Sequence, residues 1–416
     1  MSTVEIPNDM YLKGYKIRIY PTKEQIKCIE NYINLRRYIY NWAINQEYDN
    51  YYLWVTDNAD RKLLSKFDLY RKYTKFKHKP GNEFLNELPV DIARFAIDSA
   101  FTAFDKYYKL ITNKPQFKTK KNQRNMCYGV RADRVFFKGN KVRIPGFKKG
   151  MKVKSALHTD YKKFKDNPRY YSCQVSKDKQ GCYWFSFKTM EKKPLDYFEK
   201  NNIPEMKKDN GIIGIDLNKS PRFACSDGSM YYAPDVSRKY FRANELQRKM
   251  QKDRDRKSEQ EKANPEVEIE LSKRAQKRQL QFAKICRKVA NINNNFIHTT
   301  TKAIINKHPK MIVMETLYVS EIGKNHYVAS NSDILYSSFY SCKETMKRKC
   351  DMYGIKFIQA PRQYPSSQIC SCCGHRLKHN ASPDRIYRCP ACGYEIDRDL
   401  NAAINLKNYG ARNEIV

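Results

Sequence analysis

Ile212-Ile213-Gly214-Ile215-Asp216 is an apolar run that closes on a carboxylate. A strand apolar at every position needs cover on both faces, as in the parallel sheets of α/β units. In such sheets functional groups gather where strands end, and Asp216 stands at such an end. Alone, an acid there reads more naturally as a turn or a helix cap. Two further stretches reverse that reading. Ile312-Val313-Met314-Glu315 repeats the pattern about a hundred residues later, and Asp397-Arg398-Asp399-Leu400-Asn401-Ala402-Ala403 opens a helix near the end of the chain. Three carboxylates on separate core elements supply the hard oxygen ligands of a two-metal phosphodiesterase.

The elements between them have a recognisable order. Arg222-Phe223-Ala224-Cys225 and Met230-Tyr231-Tyr232 flank Asp227-Gly228, a hairpin signal. Helical periodicity runs from about Ser237 to Lys307 with a break near Pro265. A strand Met311–Met314, a helix Ser338–Tyr353, a strand Ile355–Ile358 and a helix from Asp399 to about Tyr409 follow. Three antiparallel strands, helix, strand, helix, strand, helix is the order of the ribonuclease-H fold. Leu400, Ala403 and Ile404 form the expected face that packs the last helix on the sheet and brings Asp399 to Asp216 and Glu315. Asp397 and Asp399 are two apart and cannot both point inward from one helix face. Asp399 adjoins the helix and is taken as the ligand; Asp397 is left as a cap or a supporting group. The expected catalytic residues are therefore Asp216, Glu315 and Asp399, binding two Mg²⁺ about 3.5–4 Å apart. One ion would activate water for in-line attack and the other would stabilise the departing 3′ oxygen.

Just before the third acidic stretch lie Cys370-Ser371-Cys372-Cys373-Gly374 and Cys389-Pro390-Ala391-Cys392-Gly393. Each Cys-x-x-Cys turn presents two thiolates to one tetrahedral Zn²⁺, so Cys370, Cys373, Cys389 and Cys392 form the expected site. Cys372, His375 and His379 fall outside the knuckle register. Four thiolates close the coordination sphere, which makes this zinc structural.

The first half reads differently. Tyr15-Lys16-Ile17-Arg18-Ile19-Tyr20 alternates with period two and stops at Pro21. Helical spacing then takes over, through Ile26, Ile29, Ile33 and Tyr40-Asn41-Trp42, and continues to about 112. Phe67, Tyr70, Tyr73 and Phe76 in that stretch suit a core stripe better than a set of base-stacking platforms. From Lys114 the composition turns to Lys, Arg, Gly and Pro, with short strands such as Lys141–Pro145. A hairpin follows, Ser172–Val175 and Tyr183–Phe187 around Asp178–Gly181. These strands are expected to form a small barrel into which the helices are inserted. Residues 190–210, polar and Lys-rich, look like a linker.

Charge narrows the partners. With 80 Lys+Arg against 44 Asp+Glu, the formal charge is +36, which favours polyanions because each neutralised phosphate releases counterions. The cations expected to meet nucleic acid are Lys16, Arg18, Arg36, Arg37, Lys118, Lys120, Lys121, Arg143, Arg248, Lys249 and Lys252. No apolar run suggests a membrane span, and the start of the chain has no export signal. Thirteen cysteines, an odd count, suit a reducing cytoplasm better than a disulfide framework.

The residues resemble a known family, the RNA-guided TnpB nucleases of insertion sequences and the compact type V-F CRISPR effectors related to them. The resemblance rests on Tyr15–Gln25 with Tyr40-Asn41-Trp42-Ala43, on Arg287–Asn291 with Phe296-Ile297-His298, and above all on Ser367–Gly374 and Asp397–Asn405. It implies an α+β multidomain chain. Residues 1–22 and 113–192 would form a wedge-like β-barrel, with 23–112 an inserted helical recognition domain and 193–210 a linker. Residues 211–363 and 397–416 would form a RuvC-like nuclease domain, with 364–396 a zinc ribbon that loads target nucleic acid. It further implies guide RNA and double- or single-stranded target DNA as partners, with a homodimer left open. Base pairing to the guide would read the sequence, so the protein needs a broad basic channel more than base contacts. Three positions depart from the usual pattern: Asn218 after Asp-Leu, Thr316 after Glu315, and Gln116. The alternatives are a cleavage-inactive RNA-guided repressor, a guide-free junction resolvase and a structural zinc-ribbon RNA-binding protein.

Overall fold

The computed structural model describes residues 6–56, 64–120, 126–153, 170–264, 266, 269–316, 331–377 and 385–413. The chain divides into two compact units, Met1–Lys192 and Lys193–Val416.

In the first unit, β1 (Met10–Tyr20) precedes three helices, α1 (Lys23–Thr56), α2 (Lys66–Lys77) and α3 (Val90–Tyr108). Six strands follow: β2 (Met126–Gly129), β3 (Phe136–Lys138), β4 (Lys141–Arg143), β5 (Met151–Val153), β6 (Tyr170–Lys177) and β7 (Tyr183–Lys192). They form one sheet in the order β2-β6-β7-β1-β5-β4-β3. No pairing joins its outer strands β2 and β3 among the described residues. The period-two pattern sorts the faces as the sequence suggests. Ile17 and Ile19 of β1 and Phe185 and Phe187 of β7 are buried, while Lys16 and Arg18 alternate with them. The β6–β7 turn is closed by Asp178, whose carboxylate accepts from the Gln180 and Cys182 amides and from Trp184 Nε1 at 2.8–2.9 Å. Helices and sheet share one apolar cluster, in which Ile29, Ile33, Ile39 and Ile44 of α1 join Ile92, Ala96, Ile97 and Phe104 of α3. Tyr73 is buried, and Phe76 stacks on Trp42 at 5.0 Å, so the aromatic stripe of α2 is core at those positions. Phe67 remains exposed.

The second unit begins inside the stretch that its polarity suggests is a linker. Residues 193–210 carry a short helix, α4 (Tyr197–Lys200), and Phe198 is buried with its ring stacked 3.7 Å from that of His308. Four apolar side chains, Tyr197, Phe198, Ile203 and Met206, are enough to fold this segment onto the unit's core despite its charged flanks.

The rest of the unit runs β8 (Ile212–Asp216), β9 (Phe223–Cys225), β10 (Met230–Tyr231), α5 (Ser237–Ala263), α6 (Lys273–Ile305), β11 (Met311–Met314), α7 (Asn331–Tyr353), β12 (Lys356–Gln359), β13 (Ile386–Arg388), β14 (Glu395–Asp397) and α8 (Arg398–Arg412). Five strands form a mixed sheet in the order β10-β9-β8-β11-β12, with β8, β11 and β12 parallel. Both sheet faces are covered, which accounts for the uninterrupted apolar runs. Ile213, Ile215, Ile312 and Met314 join the cluster that includes Ile297 and Ile304 of α6 and Phe339, Cys342 and Met346 of α7. Ile212, Met311 and Val313 cluster instead with Leu406 of α8.

α8 lies unusually close to the sheet. A Cβ added at Gly214 would come within 2.0 Å of the Ala403 carbonyl oxygen, and one added at Gly410 within 2.4 Å of Val313 Cγ2. The expected face Leu400, Ala403, Ile404 is thereby rotated. Ala402, Ala403, Leu406 and Gly410 are buried, and Leu400 and Ile404 are only half-buried. Small residues win the contact because they let the helix backbone reach the strand.

Candidate active site and metal centre

Strand parity puts Asp216 on the face of β8 that holds Ile212 and Gly214, and Glu315 on the face that holds Met311 and Val313. Both faces are turned to α8. The parallel register pairs Met311 with Ile212 and Met314 with Ile215, so one step further sets Glu315 beside Asp216. Their carboxyl groups hydrogen-bond directly. Asp216 is also held by Asn218, whose Nδ2 donates to its Oδ2 at 2.6 Å, and Glu315 accepts from the Leu217 amide.

Asp399 is buried in the first turn of α8, and its charge acts on Asp216. The ambiguity between Asp397 and Asp399 resolves by role. Asp397 is the N-cap of α8, its Oδ1 accepting from the Asp399 amide at 2.9 Å and the Leu400 amide at 3.0 Å. All three carboxyls sit above their ordinary range. Burial is the first cause for each. For Glu315 the Asp216 charge and the shared hydrogen bond add to it. For Asp399 the charge of Asp397 adds to burial, against which Arg398 and Arg385 pull down. The Asp216–Glu315 pair is in direct contact, and the Asp399 charge acts on Asp216.

The cysteines form a tighter constellation. The four Sγ atoms of Cys370, Cys373, Cys389 and Cys392 lie within 4.8 Å of one another, with Cys370–Cys392 at 3.8 Å and Cys373–Cys389 at 3.6 Å. Two short strands, β13 and β14, form a hairpin below the cluster. Each knuckle turns through a glycine at positive φ, Gly374 at 79° and Gly393 at 70°, a conformation that costs glycine little. The first cysteine of each knuckle accepts from the glycine amide, Gly374 to Cys370 and Gly393 to Cys389, both at 2.9 Å. These sulfurs can hold one metal ion. Cys372 and His375 are not in the cluster, and His379 lies outside the described residues.

The basic residues separate into two kinds. Lys16 and Arg143 are exposed on the sheet and Arg18 is half-buried; they lie over the rings of Trp184, Phe136 and Tyr20 at 5.2, 5.4 and 5.1 Å. Lys120, Arg248 and Lys252 are exposed, and so is Lys249, which pairs with Glu245 at 2.6 Å. Arg37 is half-buried. Arg36 and Lys118 are half-buried, and each has a partner inside the unit. Arg36 Nη1 donates to the Cys127 carbonyl at 2.9 Å, and Lys118 Nζ sits 3.5 Å from the Tyr40 ring centre. Burial, followed by the Arg36 charge, pulls the Lys118 ammonium down to about 8. The cause is Asn41, which clamps the Lys118 backbone with bonds of 2.8 and 2.9 Å and draws the chain against α1. Lys121 lies outside the described residues.

Sequence reasoning missed Asn401 and Asn405. Both are buried on α8, four residues apart, and both bond to the backbone that carries the first knuckle. Their amides in an otherwise small and apolar helix face were the available signal.

Three family models match the chain. One described as "Probable transposase" covers residues 190–326, and "Cas12f1-like, TNB domain" covers 339–406. "Helix-turn-helix domain" covers 10–53, where the structure has a strand followed by the single helix α1. A protein of Streptomyces pristinaespiralis, carried under the provisional name RNA-guided DNA endonuclease, is 23% identical over 95% of this chain and 88% of its own length. The CRISPR-associated endodeoxyribonuclease Cas12f1 of Sulfoacidibacillus thermotolerans is 32% identical over 29% of this chain and 28% of its own. In fold, the chain resembles Cas12f1 as seen by cryo-EM in complex with sgRNA and target DNA, with a TM-score of 0.55 at 13% identity, covering 96% of this chain and 99% of that one. In sequence and in fold the chain is therefore similar to the TnpB-like and Cas12f1 proteins.

Proposed function

We propose that this protein is an RNA-guided DNA endonuclease whose hydrolytic site is Asp216, Glu315 and Asp399 in a ribonuclease-H-like (RuvC) unit. One observation carries the reading. Two carboxylates from non-adjacent parts of the sequence meet in register at the carboxyl ends of parallel strands, and a third comes from the helix packed across them. Three acids with raised proton affinity, two buried and one half-buried, with Arg398 and Arg385 as the cations acting on them, are most stable together with protons or with cations between them. Their hard oxygens suit Mg²⁺. Two such ions, when bound, would supply activation of the attacking water and stabilisation of the leaving oxygen. Asp216, Glu315 and Asp399 would hold them, with Asn218 fixing the Asp216 carboxylate and Asp397 fixing the start of α8.

The four cysteines would hold a structural Zn²⁺. Sulfurs 2.3 Å from a tetrahedral zinc lie about 3.8 Å apart, close to the separations here. The wedge and recognition roles of residues 1–22, 113–192 and 23–112 follow the same reading. So does a guide RNA held by a basic surface that includes Lys16, Arg18 and Arg143, beside their aromatic partners.

The test is cleavage of guide-complementary DNA by protein purified with its co-expressed RNA. Cutting is expected only with a divalent cation, and Asp216→Ala is expected to bind guided DNA without cutting it. Cutting that persists in Asp216→Ala, or in excess chelator, would sink the assignment.

A further inference from the structure

α8 carries two things at once. Asp399 lies in its first turn, and one face of its first two turns grips the segment that leads into the four-cysteine cluster. Asn401 Oδ1 accepts from the Ser371 amide at 2.9 Å, and its Nδ2 donates to the Ile369 carbonyl at 2.8 Å. These bonds bracket Cys370 on both sides. Asn405 Nδ2 donates to the carbonyls of Ser366 and Ile369 at 2.8 and 2.6 Å. Both side chains are essentially inaccessible, so each amide bond made here replaces one that water cannot supply. The start of α8 is tied to the same region again, because Asp397 caps it while pairing with Ile386 in the β13–β14 hairpin.

The body of α8 is fixed independently, by the close approach at Gly214 and Gly410. Its first turn is the part with fewest helical hydrogen bonds of its own. That turn holds Asp399, and its position depends on Cys370 and its neighbours being in place.

We propose that Asn401 and Asn405 are positioning residues that couple the four-cysteine cluster to the carboxylate site. Metal closure of the cluster holds the first turn of α8 so that Asp399 stands beside Asp216 and Glu315; opening the cluster releases it. The proposal rests on the reading of the three carboxylates as a divalent-cation site. Coupling of this kind is reciprocal: whatever factor one site adds to the affinity of the other is returned.

Mn²⁺ binding to the full-length protein, followed by loss of the free Mn²⁺ resonance, reads the carboxylate site directly without turnover. Removing zinc from the wild type is expected to weaken Mn²⁺ binding about tenfold, within the range usual for coupled sites. The Asn401→Ala, Asn405→Ala double variant, still able to take up one zinc, is expected to bind Mn²⁺ weakly whether or not zinc is present. Equal Mn²⁺ affinity in zinc-loaded and zinc-stripped wild type would overturn the coupling, as would a double variant that responds to zinc as the wild type does. Where stripping unfolds the unit, zinc-loaded Asn401→Ser decides: several-fold weaker Mn²⁺ binding supports the proposal and wild-type affinity overturns it. Asp216→Ala separates the two levels. If zinc-loaded Asp216→Ala binds Mn²⁺ as the wild type does, the metal reading itself has failed, and the coupling with it.

Discussion

Each unit of this protein buries acid, and the two do so to different ends. In the first unit Glu47 lies inside α1, 1% exposed, with neither carboxylate oxygen hydrogen-bonded among the described residues. Burial pushes its carboxyl up to about 7, with the Lys72 charge pulling the other way. The Asn50 amide nitrogen and the Tyr108 hydroxyl are likewise buried without partners. In the second unit Asp216, Glu315 and Asp399 are also raised first by burial, but they act on one another and are individually held, by Asn218, the Leu217 amide and the capped turn of α8. A raised proton affinity therefore does not mark the site. Convergence from several elements does, because only several fixed carboxylates can offer a cation more than water offers it.

The sharpest way to break this contrast is to remove acid from each unit in turn. Asp216→Ala or Glu315→Ala is expected to lower metal-dependent DNA cleavage by about a thousandfold or more, as losses within a catalytic set do, while Glu47→Gln leaves the rate unchanged. A measured loss in Glu47→Gln comparable to either would erase the distinction. Next in size is Gly214→Ala. The added methyl has no room against Ala403 and Lys407, and overpacking of this kind costs about 1–3 kcal/mol. Both Tm and cleavage should fall, with Tm dropping about 2–4 °C per kcal/mol for a unit of this size. A stable, fully active Gly214→Ala protein would mean that α8 does not seat on β8 as described.

The third test concerns pH and Glu47 alone. Its folded-state proton affinity is raised, so its favourable contribution is complete below the ordinary Glu range and is lost as pH rises through about 7. Glu47→Gln should accordingly raise Tm by a few degrees at pH 8, with the gain shrinking towards pH 4.5. A gain of equal size at both ends would assign the effect to packing instead. The smallest effect is expected at the exposed face of the first sheet. Arg18→Ala and Arg143→Ala should each change stability by less than about 0.5 kcal/mol, yet lower the salt dependence of RNA binding by about one counterion. An unchanged salt slope would remove that residue from the interface.

What could be read from the residues, and what could not, divides along physical lines. The sequence by itself determined the local facts. Uninterrupted apolarity in Ile212–Ile215 and Ile312–Met314 calls for a strand covered on both sides, and both are buried throughout. Two Cys-x-x-Cys-Gly turns call for two knuckles, and the four sulfurs converge. Period and spacing carry such information because they express the geometry of one element at a time. Only the tertiary structure decided how the carboxylates meet. The register that brings Glu315 to Asp216 is a choice between strands, set by how the whole sheet packs. The face α8 buries was decided at Gly214 and Gly410, far from α8's first turn in sequence or along its axis, by how closely two backbones can approach. Arg36 and Lys118 look like surface cations, yet both are half-buried: Arg36 bonds the Cys127 carbonyl, and an Asn41 clamp on the Lys118 backbone sets its ammonium over the Tyr40 ring. Asn401 and Asn405 look like polar filler in a helix, and they are buried because a distant knuckle needs its backbone bonds made. Side-chain type fixes what a residue can do; which partner it does it with is a property of contacts distant in sequence, and those exist only in the folded chain.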